Sequence, residues 1–340
     1  SRGLGDVYKR QIINSTKIMD KTLGKMNVVS SFDNGYSPYA GAMLTSLFEN
    51  NKNCEITVYV LTDSLDNKNR QKLNSLAEKY SQEIIVKILN KELFEGLPSG
   101  GKFQNISLAT YYRLLIDTIL PQNVERVLYL DCDIIVNGNL KELYDMKFNH
   151  RWQIVALKDR PDVAQAAFKR LELKHHNIYV NAGVMLLNIP ELRSINFSQR
   201  AFDYLSSNLD KVLFHDQDVI NAILTEKEVL PLKYNVLDCA LMKSPIIADC
   251  YISQLTIAIY NPIVIHYSGA RKPWHTECNH PYKYLFGEYL ELSPWHGTPS
   301  TRRYESLFAR FLFKIKTLVK YLLLLGGNGQ YTYITIQKTV

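Results

Sequence analysis

The chain lacks the features that mark membrane-spanning, disulfide-bonded and glycine-cradled nucleotide-binding proteins. No apolar stretch free of charge reaches the roughly 18 residues that cross a bilayer, so a spanning helix is excluded. Cysteine is sparse: Cys54, Cys132, Cys239, Cys250 and Cys278 are scattered, odd in number and form no Cys-x-x-Cys pair. That argues against a disulfide framework or a dithiol redox motif, and for a reduced, cytoplasmic setting. The glycine turn after the first apolar segment, Phe32-Asp33-Asn34-Gly35-Tyr36, has no Gly-x-Gly-x-x-Gly array, which excludes a dinucleotide-binding fingerprint there. Basic charge is also scarce over the body. Of the formal +7, residues Arg302 to Lys320 contribute +5, so this is a basic tail and not a basic, nucleic-acid-binding protein.

What is present is a regular alternation of periods. Asn27–Ser31, Glu55–Leu61 and Glu83–Leu89 read as strands; Tyr39–Asn50 and Asn67–Tyr80 read as helices between them. A helix beginning over Ala109–Ile116 precedes a further strand, Val127–Leu130. Arg151–Leu157 reads as a strand, Pro161–Lys174 as a helix and Tyr179–Asn188 as an apolar strand. Such alternation predicts a mostly parallel sheet covered by helices on both faces, in a chain of 340 residues that is long enough for a large core.

The strand Val127–Leu130 runs into Asp131-Cys132-Asp133. Side chains two apart on extended backbone share a face, so the two carboxylates can reach one cation together. Cys132 faces the other way and reads as a core thiol. Downstream, Ile263–His266 is followed by Tyr267-Ser268-Gly269-Ala270-Arg271-Lys272-Pro273-Trp274, which offers an imidazole, a glycine turn and a cation for phosphate. Two carboxylates plus an imidazole suit Mn²⁺ better than Ca²⁺, which prefers oxygen alone, with Mg²⁺ as the alternative. Asp131, Asp133 and His266 are therefore the expected metal ligands, Gly269 admits phosphates closely, Lys272 contacts them and Trp274 packs the loop. His275, Cys278 and His280 form a second, looser cluster with irregular spacing for zinc.

Taken together, the Asp-x-Asp strand end and the later His-x-x-Gly-x-x-Lys-Pro-Trp resemble glycosyltransferase family 8. These are retaining enzymes that use nucleotide sugars and include lipopolysaccharide glucosyl- and galactosyltransferases. The resemblance runs from about Met26 to about Cys278 and implies a nucleotide-binding α/β fold of the GT-A type. It implies that Asp33 accepts from a uracil imide and Tyr36 stacks on the ring, against the plainer reading of a capping Asp and a packing Tyr. Asn105 is implied near the nucleotide, and Arg113 over the donor sugar and phosphates, a surface salt bridge being the competing reading. Asn181, in Asn-Ala-Gly at a sheet edge where a sugar approaches backbone closely, is implied to bond the donor sugar. In Phe214-His215-Asp216-Gln217-Asp218, Asp216 can cap a helix. The resemblance instead turns Asp216 and Gln217 toward the sugar as the catalytic pair, with Asp218 supporting the helix start. An amide in the place of a nucleophile implies retention without a covalent intermediate.

The expected activity is transfer of a hexose from UDP-glucose or UDP-galactose to a lipopolysaccharide core or similar glycan or glycolipid acceptor. A haloacid dehalogenase-like phosphohydrolase shares the strand-to-Asp-x-Asp motif, but Ile135 stands where that motif expects Thr or Val. A nonenzymatic, membrane-associated sugar-binding protein is the other alternative, and a self-glycosylating primer a third. His175 and His176 lie in an irregular segment available to an acceptor.

Residues 1–25 read as a non-native or disordered leader, with Ser1–Gln11 resembling an assembly scar. Residues 26–280 form the expected catalytic domain, 281–300 a connection, 301–325 a helix and 326–340 a tail. On a helical wheel Leu307, Phe308, Phe311, Leu312, Ile315, Leu318, Val319, Leu322 and Leu323 share roughly 160° of arc, opposite Arg310, Lys314, Lys316 and Lys320. A basic amphipathic helix of this kind lies on an anionic membrane, here the inner face of the cytoplasmic membrane; docking on its own domain is the alternative.

Overall fold

The computed structural model describes residues 24–98, 107–149, 151–173, 178–303, 315 and 333–335. Among the described residues ten strands form two sheets: β1 (Lys25–Ser31), β2 (Glu55–Thr62), β3 (Glu83–Ile88), β4 (Arg126–Leu130), β5 (Ile134–Val136), β6 (Ile154–Lys158), β7 (Val180–Asn188), β8 (Lys227–Val229), β9 (Val236–Leu237) and β10 (Val264–His266). The seven-stranded sheet runs β3-β2-β1-β4-β7-β6-β8, and a three-stranded sheet runs β5-β10-β9. In the larger sheet β1 pairs in parallel with β2 and β4, β2 with β3, and β6 with β8, while β7 runs antiparallel to β4 and β6; in the smaller one β10 is antiparallel to β5 and parallel to β9. The expected mostly parallel α/β sheet is the observed one.

Strand alternation builds a core on each face. Met26, Val28, Ile56, Val58, Leu128 and Leu186 point to one side, where they meet α1 (Ser37–Asn50). Val29, Tyr59, Val127, Tyr129 and Met185 point to the other, against α4 (Phe197–Asn208) and α5 (His215–Ile223). Helices on both faces bury most of the central strands, as parallel pairing requires.

The helix read over Asn67–Tyr80 is observed with those bounds as α2. Asp66 caps it by accepting from Asn69 N at 2.7 Å, and Ser81 ends it in the left-handed conformation. Elsewhere the boundaries moved. The helix expected from Ala109 is one turn, Ala109–Tyr112, then a 3₁₀ turn at Arg113–Leu115 and a further turn at Ile116–Ile119. The break falls at Arg113, whose guanidinium is drawn inward by two carboxylates. The helix from Pro161, α3, stops at Arg170.

One expectation is corrected outright. The Asn-Ala-Gly strand is not at a sheet edge: β7 lies between β4 and β6. Beyond Cys278, α6 (Lys283–Leu292) packs on α1, and Trp295 fills the space over Gly41, where any Cβ would collide with its ring. Trp295 Nε1 donates to Asn69 Oδ1 at 2.8 Å. Of the basic amphipathic stretch, only residues 301–303 and 315 are among the described ones, so its helix lies outside them. Among the described residues no helix is long and apolar enough to cross a membrane.

Candidate active site

Because β1, β2 and β4 are parallel, their C-terminal ends share one edge of the sheet, the usual place for ligands in such folds. Asp33 follows β1 there and Asp131 follows β4; β10 brings His266 to them. Asp131 N donates to Gly183 O at 2.9 Å and Tyr267 N to Asp133 O at 3.0 Å, which tie the Asp-x-Asp to β7 and to the His266 loop. The ligand atoms of Asp131, Asp133 and His266 all lie within 4.8 Å of one another. His266 Nε2 is 3.4 Å from Asp133 Oδ1 and 3.8 Å from Asp131 Oδ2.

The ring is oriented for coordination. Asn235 Nδ2 donates to Asn181 Oδ1 at 2.9 Å, which leaves Asn235 Oδ1 to accept from His266 Nδ1 at 3.0 Å. The neutral ring thus carries its proton on Nδ1 and presents the Nε2 lone pair to the carboxylates. Gly183 supplies the space, since a Cβ there would strike the His266 ring. Two hard oxygens and one imidazole nitrogen, gathered this closely and buttressed on the far side of the ring, fit a divalent ion.

Electrostatics hold the cluster together. Burial raises the Asp131 carboxyl above its ordinary range, with Arg113 opposing. Burial pushes Asp133 the same way, but the Lys272 ammonium and His266 outweigh it and hold that carboxyl well below the usual range. Lys272 Nζ donates to Asp133 Oδ2 at 2.5 Å and to Tyr267 O at 2.8 Å. Burial works against charge on His266, yet the two carboxylates keep the imidazole above its ordinary value. Cys132 packs against the core, and burial beside both aspartates pushes its thiol up, away from nucleophilic use.

Arg113 is buried inside the site and is not the surface ion pair that was its alternative. Its Nη2 donates to Asp131 Oδ1 at 2.7 Å, its Nε lies 3.1 Å from Asp216 Oδ2, and its plane lies 4.2 Å over Tyr129. Thr110 donates to the other Asp216 oxygen. Asp216 is not a helix cap: α5 starts at His215, its N-cap Phe214 makes no side-chain cap bond, and Asp218 secures that end by accepting from Leu213 N and Phe214 N at 2.7 Å each.

Gln217 sits one residue on, its amide fixed at both ends. Nε2 donates to Asp159 Oδ2 at 2.9 Å, while Oε1 accepts from Ala182 N at 3.1 Å and from Asn181 Nδ2 at 3.2 Å. Asn181 therefore joins Gln217 to Asn235 and so to His266. Sequence reading missed Asp159, Asn235 and Thr110. Asp159 carries a usable signal, because it ends apolar β6 as Asp131 ends β4; Asn235 and Thr110 carry none without their partners.

On the nucleotide side, Asp33 Oδ1 accepts from Tyr36 N at 3.0 Å and caps a 3₁₀ turn. Tyr36 packs edge-on against Tyr39 and Trp274, whose rings stack with centroids 3.8 Å apart. Asn105, His175 and His176 lie outside the described residues. Among those described, His275, Cys278 and His280 form no metal-ligand group. His275 Nδ1 and His280 Nδ1 instead accept from the backbone of Lys272 and Tyr282.

Residues 27–278 match the sequence profile of glycosyl transferase family 8. The chain belongs to that family. The chain is similar to lipopolysaccharide glycosyltransferases of two bacteria. Lipopolysaccharide 1,2-glucosyltransferase of Escherichia coli is 29% identical over 88% of this chain and 91% of its own length. Lipopolysaccharide 1,3-galactosyltransferase of Salmonella typhimurium is 28% identical over 80% and 79%. The crystal structure of galactosyltransferase LgtC with donor and acceptor sugar analogues superposes with a TM-score of 0.71, at 24% identity, covering 79% of this chain and 96% of that one. The fold is thus the GT-A fold seen in that family 8 enzyme, and neither the phosphohydrolase nor the nonenzymatic binding reading is favoured.

Proposed function

We propose that this family 8 glycosyltransferase is a Mn²⁺-dependent, retaining α-hexosyltransferase that moves glucose or galactose from its UDP-sugar to a lipopolysaccharide core or similar glycan or glycolipid. The observation that carries the reading is the gathering of Asp131, Asp133 and His266 beside Lys272 at the strand ends. These three residues would hold the ion, which when bound offsets negative charge developing on the departing diphosphate. Lys272 adds a second positive charge on the same side, and Gly269 lets backbone approach the phosphates. Asp33 and Tyr36 receive the uracil end; Arg113, Asn181 and Asp216 orient the sugar.

The proposed retention runs without a covalent intermediate, a reading supported by the partners that Gln217 and Asp216 already hold. Gln217 Oε1 accepts two hydrogen bonds and belongs to a neutral amide, so it is a poor nucleophile. The Asp216 carboxylate is occupied by Arg113 and Thr110. The acceptor hydroxyl then attacks from the face that the diphosphate leaves, and its proton passes to the diphosphate, with Gln217 steadying the anomeric centre. The acceptor side is proposed to include Asp159, and the sequence pattern of 301–325 is proposed to hold the enzyme to the anionic inner face of the cytoplasmic membrane.

The deciding experiment is UDP release from a panel of UDP-sugars, with and without Mn²⁺, for the wild type and an Asp131→Asn/Asp133→Asn double variant. Metal-dependent release from one hexose donor, abolished in the variant, is expected. Equal release without metal, or release unaffected by the double substitution, would sink the proposal.

A further inference from the structure

Tyr333 lies outside the family-matched residues 27–278, yet it packs beside the site. It forms an isolated antiparallel bridge with Met242, and Ile334 N donates to Leu241 O at 2.9 Å. From that anchored backbone the Tyr333 hydroxyl donates to Asp238 Oδ2 at 2.6 Å, and its ring meets His280 edge-on at 5.5 Å.

Asp238 is buried, at 7% exposure, and its carboxylate rests against Gly269, where an added Cβ would collide with Oδ2. Gly269 lies in the turn that joins His266 to Lys272. The other carboxylate oxygen, Oδ1, has no hydrogen-bond partner among the described residues; His280 Nε2, also without one, stands 3.9 Å away. Since His280 Nδ1 accepts from Tyr282 N, the neutral ring carries its proton on Nε2, too far from Asp238 for a hydrogen bond. Tyr333 therefore makes the one hydrogen bond that the Asp238 side chain has among the described residues.

We propose that Tyr333 is a positioning residue of the donor site: its hydroxyl fixes Asp238 against Gly269 and thereby sets the course of the turn that carries His266 and Lys272. The proposal rests on the UDP-sugar reading above. A buried carboxylate stripped of its hydrogen bond is pulled toward other donors, among them His280 Nε2 at 3.9 Å, and the turn packed on it at Gly269 shifts with it. Any such shift draws Lys272 from Asp133 and from the diphosphate. Replacing the carboxylate by an amide removes most of that pull, so the effect of losing the Tyr333 hydroxyl depends on Asp238.

The test is UDP affinity in the presence of Mn²⁺, by calorimetry, for the full chain, Tyr333→Phe, Asp238→Asn and the double variant, with thermal melts and steady-state kinetics. Tyr333→Phe is expected to weaken UDP about tenfold, in the range for residues that orient ligands through another group. KM for the donor rises alike while kcat stays within about twofold. In the Asp238→Asn background the same Tyr333→Phe change is expected to cost about threefold or less. Unchanged UDP affinity in Tyr333→Phe would overturn the proposal, as would a loss that tracks a lowered Tm and is the same in both backgrounds. A wild type that binds Mn²⁺ but no UDP would sink the donor reading separately. The Tyr333 claim is then read from Mn²⁺ affinity alone, which is expected to fall in Tyr333→Phe and overturns the claim if it does not.

Discussion

Asn235 Oδ1 lies 3.0 Å from His266 Nδ1, and through the other end of its amide Asn235 reaches Asn181, which bonds Gln217. One short chain of amides thus connects the proposed metal ligand His266 to the proposed catalytic Gln217. Removing the group that orients a ligating histidine typically costs about 10- to 100-fold in metal affinity. Asn235→Ala is expected to show a loss of that size in a Mn²⁺ titration followed by calorimetry. Asn235→Asp, which still accepts from Nδ1, is expected to lose less.

Gly183→Ala tests whether the small residue in β7 serves the imidazole. The new Cβ overlaps the His266 ring and comes within 3.0 Å of Asp131 Oδ2. The ring must swing away or the strand must shift, at a cost of about 1–3 kcal/mol. Metal-dependent activity is expected to vanish while the melting curve stays cooperative.

Asp159 holds the Gln217 amide from the side opposite Asn181. Its own carboxyl is raised by burial, opposed by bonds from Arg160 N and Gln217. Asp159→Ala frees the amide to flip, and kcat is expected to fall about 10- to 100-fold, as for a misplaced catalytic group. Asp159→Asn keeps an acceptor for Gln217 and is expected to fall less. A donor KM that moves as much as kcat would count against a role confined to positioning Gln217.

His280 makes a stability prediction. Burial pushes its imidazole down from the ordinary 6.5 to about 4, with Asp238 opposing. Asp238, Tyr267, Tyr282 and Tyr333 face it, and the charge of His266 adds to the downward push. Between those two values the unfolded chain binds the proton and the folded one does not. Stability is therefore lost as pH falls from about 6.5 to 4, by about 3 kcal/mol in full. Urea midpoints measured across that window are expected to drop in the wild type and to flatten in His280→Phe.

Trp295 lies beyond the matched region but inside the fold. Trp295→Ala leaves a cavity between α1, α2 and α6 and removes the bond to Asn69, for an expected loss of about 3–5 kcal/mol. A loss under 1 kcal/mol in chemical denaturation would show that residues after Cys278 are dispensable to the domain.

Much of this was legible in the chain before any coordinates. Period-two and period-3.6 patterns are local, so β1, β2, α2 and β7 were readable to within a residue or two. The clustering of Asp131, Asp133 and His266 was readable because carboxylates two apart on a strand share a face, and because the downstream histidine has its own glycine and lysine. Membership of family 8 came from the same motifs. Tertiary structure decided what local spacing cannot encode. It placed β7 inside the sheet, buried Arg113 between Asp131 and Asp216, gave the helix start to Asp218 and left Asp216 to Arg113 and Thr110. It bonded Asn235 to His266, Asp159 to Gln217 and Tyr333 to Asp238, partners 31, 58 and 95 positions away of which their sequence neighbours say nothing. A hydrogen bond between side chains is set by where two backbones cross, and that crossing is decided by the packing of the whole sheet.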